Sequence, residues 1–194
     1  WWSTPCPAYA YRAIRSVDAN GNKTLLYYDR ENRLTHTLNV IGQSANNTLA
    51  GEVSETEYNS FGQRASVRRD AARLTDADMD ELLVGGGGGE ADQLLLSKLA
   101  ALANTGLDHV NSYEYDRSGR LVKEVDGENG VTVNIYNAHG ELAAQVRSLL
   151  EGRSTTKQFD YDLNGRVVSQ TDDAGGINAN TRTAYDAFGR VIQS

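Results

Sequence analysis

The strongest constraint on this chain is a short turn motif that returns at nearly regular intervals. Tyr is followed by Asp or Asn, two variable residues, Gly, Arg or Glu, and an aliphatic residue. Four close copies start at Tyr115, Tyr136, Tyr161 and Tyr185, at steps of 21, 25 and 24 residues. A unit that recurs with such a period predicts a repeat architecture in which each copy is one supersecondary structure.

Two looser copies precede these four. The copy that starts at Tyr28 has Asn32 where the others have Gly, and the copy that starts at Tyr58 keeps Gly62 but lacks the aliphatic residue. Asn adopts the left-handed backbone region more readily than most other residues that have a side chain. Both copies are therefore compatible with the same turn. We call each copy a tyrosine turn.

Each tyrosine turn is predicted to join the two strands of a β-hairpin. The flanking segments, such as 121–125 and 132–135, are rich in β-forming residues. Asp can hydrogen-bond the backbone of the turn, and Gly supplies the positive φ that closes it. Tyr and the aliphatic residue six positions later are expected to form a cross-strand pair.

A second set of turns is expected half a unit away, at 18–22, 126–130 and 172–176. With two strands and two turns in each unit, the chain should run back and forth as one long antiparallel sheet. The predicted fold is therefore mainly β, a strip of antiparallel hairpin repeats.

The turn residues are the candidate site of this chain, with a structural role. A residue that recurs at one position of every copy is more simply a turn-builder than an acid or base catalyst. No catalytic residue, cofactor or metal ligand is predicted. The predicted structural residues are Tyr28, Asp29, Tyr58, Gly62, Tyr115, Asp116, Gly119, Tyr136, Gly140, Tyr161, Asp162, Gly165, Tyr185, Asp186 and Gly189.

Residues 71–106 interrupt the repeats with a helical pattern. Thr75 can cap a first helix, with Asp78 as the acid of a capping box. Gly85–Gly89 is expected to be a flexible joint. A second helix is predicted over Glu90–Asn104, with apolar residues on one stripe and a glycine cap after it.

These features predict a helical hairpin around 74–105, inserted between two blocks of repeats. Three roles are open for it: a decoration of the sheet surface, a plug, or a docking site for a neighbouring domain.

The predicted order is an extended lead-in at 1–11, repeats at 12–70, the insertion at 71–106 and repeats at 107–194. The lead-in contains Trp1 and Trp2, which could also form a ligand platform.

Other candidate chemistry is weaker. Residues 76–80 resemble the start of a calcium loop, but Glu81 stands at its sixth position and Gly87 at its twelfth, where Gly and Glu are needed. The three histidines are isolated from one another in the sequence, and the single cysteine allows no internal disulfide. The net charge of −7 argues against a nucleic acid or an anionic membrane surface as partner. No apolar run is long enough to span a membrane.

The spaced tyrosine turns resemble the YD repeat, also called the Rhs repeat, over about residues 12–70 and 108–194. The resemblance implies a strip of β-hairpins that spirals into a hollow shell. In that family the shell belongs to very large exported proteins, including Rhs and wall-associated polymorphic toxins and the cocoon component of ABC toxin complexes. This chain would then be an exported or cell-surface, non-catalytic shell segment that encapsulates or presents a toxin.

The resemblance also implies its partners: further repeats of the parent polypeptide and an enclosed C-terminal effector. The family's self-cleavage box contains Asp-Pro-x-Gly, and this sequence has no Asp-Pro. Neither that box nor the toxin is therefore expected within these residues. The alternative function is a cell-surface adhesion module that binds a glycan or a protein through a Tyr-rich sheet face.

Overall fold

The computed structural model describes residues 14–43, 48–84, 88–104, 106–148 and 152–193. The chain divides into two compact units, of which the first ends at Val110 and the second begins at Asn111. The predicted lead-in at 1–11 and the first three residues of the glycine joint, 85–87, lie outside the described residues.

The first unit is an antiparallel sheet with two helices packed on it. Its first five strands pair in chain order, and a two-residue strand, β6, runs parallel to β2. The elements are β1 (Arg15–Val17), β2 (Lys23–Tyr28), β3 (Leu34–Gln43), β4 (Thr48–Tyr58), β5 (Arg64–Arg69), α1 (Asp76–Leu83), β6 (Gly89–Glu90) and α2 (Gln93–Leu102).

The second unit contains only strands among its described elements. Strands β7 to β13 pair antiparallel in chain order, and β14 and β15 form a further hairpin. These strands are β7 (His109–Tyr115), β8 (Leu121–Val125), β9 (Val131–Tyr136), β10 (Leu142–Ser148), β11 (Ser154–Tyr161), β12 (Val167–Asp172), β13 (Ala179–Arg182), β14 (Ala184–Tyr185) and β15 (Val191–Gln193). The predicted fold, mainly antiparallel hairpins with an inserted helical pair, is confirmed.

The helices bury one face of the first sheet. Strand residues such as Leu25 and Leu38 are inaccessible to solvent, and they share one apolar cluster with Met79 of α1 and Leu95 of α2. Because side chains alternate along a strand, Tyr28 follows the buried Tyr27 and lies on the opposite face. The helices therefore cover the face that does not carry the turn tyrosines.

The ends of the first helix follow from its sequence. The Thr75 hydroxyl accepts a hydrogen bond from the Asp78 amide, and the Asp78 carboxylate accepts one from the Thr75 amide, which completes the predicted capping box. Lys98 of α2 donates to Asp78 Oδ1 at 2.7 Å. This hydrogen bond, with those from Thr75, lowers the pKa of Asp78 to about 2. The capping acid thus also joins the two helices.

The predicted span of the second helix is wrong at both ends. Its first predicted residue, Glu90, belongs to β6, and the helix starts only at Gln93, because Asp92 Oδ1 accepts a hydrogen bond from the Leu95 amide and caps it there. The helix ends at Leu102, before the predicted glycine cap. None of the helices in the described part of the chain is long and apolar enough to cross a membrane.

Candidate functional site: the tyrosine turns

The backbone of a tyrosine turn is a type I turn followed by a left-handed residue. In the turn after β7, the Asp116 amide donates to the Arg120 carbonyl at 2.9 Å, and the Gly119 amide donates to the Asp116 carbonyl at 3.0 Å. Gly119 has a φ of 79°. This geometry is one of the common short connections of a β-hairpin. The same two backbone bonds recur in the turns at Asp29, Asn59, Asn137, Asp162 and Asp186.

The aspartate side chain holds the turn together from inside. Asp116 Oδ1 accepts from the amides of Ser118 and Arg120 at 2.9 and 3.0 Å, and Oδ2 accepts from Arg120 Nε at 2.7 Å. The pKa of Asp116 lies below its usual value because the Arg120 amide, then the Arg120 side chain, favour the carboxylate. The pairs Asp29–Arg33, Asp162–Arg166 and Asp186–Arg190 repeat the contact with Nε.

Two turns exchange the donor and the acceptor of this side-chain pair. Asn137 stands in place of Asp, and the residue four positions later is Glu141 rather than Arg; Asn137 Nδ2 donates to Glu141 Oε2 at 2.7 Å. Asn59 Nδ2 likewise donates to Gln63 Oε1 at 3.0 Å. Asp is thus followed by Arg, and Asn by Glu or Gln. This rule is visible in the sequence but was not among our predictions.

A one-residue bulge follows every tyrosine turn. Tyr115 lies opposite Leu121, while Glu114 lies opposite Lys123, so that Val122 is an extra residue on the returning strand. The other turns have the same register, with the turn tyrosine opposite the residue six positions later. Such bulges interrupt the ladder and increase the local twist of the sheet.

Four of the turns are linked to the preceding turn by the hydroxyl of their tyrosine. The Tyr136 hydroxyl donates to the Leu121 carbonyl at 2.9 Å, beside the bulge of the preceding hairpin. Because the bulge breaks the regular ladder there, this carbonyl is available to the hydroxyl. The same bond, also at 2.9 Å, joins Tyr58 to Leu34, Tyr161 to Leu142 and Tyr185 to Val167.

The turn arginine also covers the ring of the following tyrosine. Arg120 Cζ lies 4.5 Å from the centre of the Tyr136 ring, which is within the range of a cation–π interaction. Arg33 covers Tyr58 at 4.9 Å and Arg166 covers Tyr185 at 4.6 Å. One arginine therefore closes its own turn and contacts the next one. We call the contact between two successive turns, which the tyrosine hydroxyl makes and which the arginine reinforces in three cases, a junction.

The second set of turns is less uniform. The turns at 18–22 and 126–130 close with the same two backbone bonds as the tyrosine turns. The last one differs from the prediction. Asp172 still belongs to β12, and the turn runs from Asp173 to Asn178, where the Asn178 amide donates to the Asp173 carbonyl at 3.2 Å.

Several titratable groups of the first unit serve packing and charge pairing. Among the described residues, no group of three or more His, Cys, Asp or Glu side chains could hold a metal ion. His36 is buried, and its Nε2 lies 3.4 Å from Glu55 Oε1. Arg68 pairs with Glu55 at 2.8 Å and with the buried Asp70 at 2.9 Å. Burial raises the pKa of Asp70, and Arg68 opposes that shift.

Gly165→Val should destabilise the second unit by about 1–2 kcal/mol more than Gly165→Asn, because a β-branched residue resists the left-handed region. Gly165 has a φ of 77°. A Cβ there would lie 3.2 Å from the flexible Glu141 carboxylate in both variants, so that the comparison isolates the backbone preference. Urea unfolding of the two variants measures the difference. Equal stability would contradict the assignment of this turn.

Acid should weaken the fold through the turn aspartates. The pKa values of Asp116, Asp162 and Asp186 are lowered, first by the amide of the arginine four positions later. A lowered pKa stabilises the folded state above the unfolded pKa of about 3.9, and this stabilisation is lost as the pH falls through the folded pKa. Melting temperatures between pH 6 and 2.5 should therefore fall more steeply for the natural chain than for the triple Asp→Asn variant. Parallel curves would contradict this origin of acid sensitivity.

Comparison with known proteins gives one family match. Residues 161–194 match the family model described as RHS Repeat. No curated protein matches the chain. The chain is similar to the crystal structure of TcdB2-TccC3-Cdc42, with 12% identity and a TM-score of 0.39, over 92% of this chain and 11% of that chain. It is also similar to that of TcdB2-TccC3, with 13% identity and a TM-score of 0.38, over 92% of this chain and 11% of that chain.

The chain thus spans about a tenth of the length of the solved chains that it matches. The family match covers the last two tyrosine turns, which start at Tyr161 and Tyr185. The RHS repeat that the spacing of the tyrosine turns predicted is therefore present at residues 161–194.

Proposed function

We propose that this chain is a non-catalytic wall segment of a YD-repeat shell, which encapsulates or presents a toxin or effector for delivery. Its partners are then further repeats of the same polypeptide and the enclosed effector, and the assembled protein is exported or displayed at a cell surface. The RHS repeat at residues 161–194 supports this proposal.

The observation that carries the proposal is the chain of junctions. Four of the tyrosine hydroxyls bind the preceding hairpin, and at three of these junctions an arginine covers the same tyrosine ring. The second unit contributes no residue to the buried apolar core of the described chain. A sheet stabilised from turn to turn can extend as a thin wall, because each repeat rests on its neighbours.

The turn residues are also poorly suited to catalysis. The carboxylates of Asp116, Asp162 and Asp186 accept hydrogen bonds from their own turns, and their pKa values are lowered. A general base at neutral pH works best with a pKa near the operating pH. These carboxylates are therefore better suited to stabilising their turns than to transferring protons.

The proposal is tested on the longest natural polypeptide that contains this sequence. Its coding region is read beyond Ser194, and the purified polypeptide is treated with a protease. If the chain is a shell wall, a segment that follows the repeats survives in the intact protein and is digested when Tyr136→Ala and Tyr161→Ala open two junctions. Equal digestion of that segment in both proteins would overturn containment.

An adhesion module would give a different result. Binding of a glycan to the turn tyrosines should quench tyrosine fluorescence, yet the rings of Tyr58, Tyr136 and Tyr185 already carry a guanidinium on one face. We therefore expect no quenching by a glycan panel. Saturable quenching, together with a wall or membrane anchor after the repeats, would favour adhesion.

A further inference from the structure

Of the four junctions in which a tyrosine hydroxyl binds the preceding hairpin, one lacks the cation that the other three contain. Arg33, Arg120 and Arg166 each place a guanidinium over the tyrosine ring of the next turn. At the junction between the turns of β9–β10 and β11–β12, the corresponding residue is Glu141, and the ring is that of Tyr161. The side chain at this place is therefore a carboxylate, where three other junctions have a guanidinium.

A cavity of about 410 Å³ opens at this junction. Glu141, Tyr161, Phe159 and Leu163 line it. Asp160, His139 and Asp162 line it as well, and Asp162 is paired with Arg166 of its own turn. No Lys or Arg is among the described lining residues. Leu163 is fully exposed and Phe159 is half-buried. The cavity therefore offers an aromatic ring, the carboxylates of Glu141 and Asp160, and an apolar rim.

The carboxylate in this cavity is held in position. Asn137 Nδ2 donates to Glu141 Oε2 at 2.7 Å, which fixes the side chain within its own turn. A Cβ at Gly165 would lie 3.2 Å from Glu141 Oε1, just as a Cβ at Gly140 would lie 3.2 Å from Arg120 Nη1. The Glu141 carboxylate thus occupies the position that the guanidinium has at the preceding junction. Burial, and secondly the charge of Glu141, raise the pKa of Tyr161, which agrees with a carboxylate close to the ring.

A guanidinium suits this combination better than an ammonium. Its planar group can stack on an aromatic ring and present a fork of N–H donors to a carboxylate at the same time. The aliphatic stem of an arginine can lie along apolar surface such as that of Leu163 and Phe159. A guanidinium from outside the chain would thus pair with the Glu141 carboxylate and contact the ring of Tyr161.

We propose that this cavity binds the guanidinium of an arginine side chain that a partner polypeptide presents. Through this site, the junction at Tyr161 would bind a partner polypeptide in addition to connecting two successive turns. The inference goes beyond the proposed function and does not depend on it, because it rests on the comparison of junctions within this chain.

The test is an NMR titration of the ¹⁵N-labelled chain with three peptides. Acetyl-Gly-Arg-Gly-amide should shift the backbone amides of Glu141 and Leu163 in a saturable way. The citrulline peptide keeps the shape but lacks the charge, and it should bind about tenfold more weakly. The lysine peptide should also bind more weakly than the arginine peptide. If the citrulline peptide or the lysine peptide bound as tightly as the arginine peptide, the assignment of a guanidinium site would be overturned.

Two variants separate binding from folding. Asn137→Asp with Glu141→Arg recreates the side-chain pair of the other turns and supplies an internal guanidinium, so that the peptide should no longer bind while the melting temperature is kept. Glu141→Gln keeps the hydrogen bond to Asn137 and removes only the charge, and it should weaken binding about as much as citrulline does. Unchanged affinity in the folded double variant would overturn the proposal.

Discussion

Leu95→Ala should lower the free energy of unfolding of the first unit by about 2–5 kcal/mol, the largest effect that we expect from a single truncation. Leu95 is inaccessible to solvent in α2 and belongs to the apolar cluster that joins both helices to the sheet. Its truncation removes apolar contacts and leaves a cavity that the strands on the other side cannot fill.

Leu96→Ala is the matched control for this prediction. Leu96 is the next residue of the same helix and is 41% exposed, so that its truncation should cost well under half as much as that of Leu95. The free energies of unfolding of both variants are measured in urea, with the circular-dichroism signal of the helices as the probe. Similar losses for the two leucines would contradict the packing of α2 on the sheet.

Gly51→Ala should destabilise the first unit by about 1–3 kcal/mol, because it overpacks the core. A Cβ at Gly51 would lie 2.6 Å from Leu38 Cδ1 and from Met79 Sδ, and 3.2 Å from Leu74 Cβ. The backbone cannot easily retreat, since the Gly51 amide donates to the Leu74 carbonyl at 3.1 Å and the Leu74 amide donates to the Gly51 carbonyl at 2.9 Å.

Gly42→Ala provides the control on the neighbouring strand. A Cβ at Gly42 meets nothing within 4 Å. Alanine should therefore be neutral there, or stabilising by up to about 0.5–1 kcal/mol, since glycine in a strand loses more backbone entropy on folding. If both substitutions had the same effect on stability, the result would contradict the close packing of α1 against β4 at Gly51.

The hairpin strip was predictable because its determinants are local. A turn needs Asp to accept backbone amides and Gly or Asn to adopt a positive φ, and these residues lie within six positions of one another. Even the poorer copy at Tyr28 follows the pattern, with Asn32 at a φ of 64°. Thr75 and Asp78 form a capping box for the same reason, since the partners are three residues apart.

The junctions were not predictable in the same way, because they join residues of different repeats. The Tyr136 hydroxyl reaches the Leu121 carbonyl only through the register of β8 and β9 and through the bulge at Val122. A sequence pattern does not show where the ladder shifts by one residue. The replacement of the Asp–Arg pair by Asn137 and Glu141 is visible in the sequence. Only the hydrogen bond between the two side chains shows that they form a pair with donor and acceptor exchanged.

The start of the second helix shows a competition between local and tertiary interactions. Helical periodicity extends the prediction back to Glu90, but Gly89 and Glu90 pair with Tyr27 and Tyr28 of β2. Strand pairing with a distant segment therefore determines where the helix can begin, and the Asp92 cap marks that point.

The central claim is that successive tyrosine turns stabilise one another through the tyrosine of the junction and, at three junctions, through the arginine that covers its ring. It is tested most directly by a double-mutant cycle of Arg120→Met and Tyr136→Leu, with the free energies of unfolding measured in urea. Because Arg120 also binds Asp116 within its own turn, only the cycle isolates its contact with Tyr136. We predict a coupling energy of about 0.5–1 kcal/mol. Additive losses, within about 0.3 kcal/mol, would contradict the account.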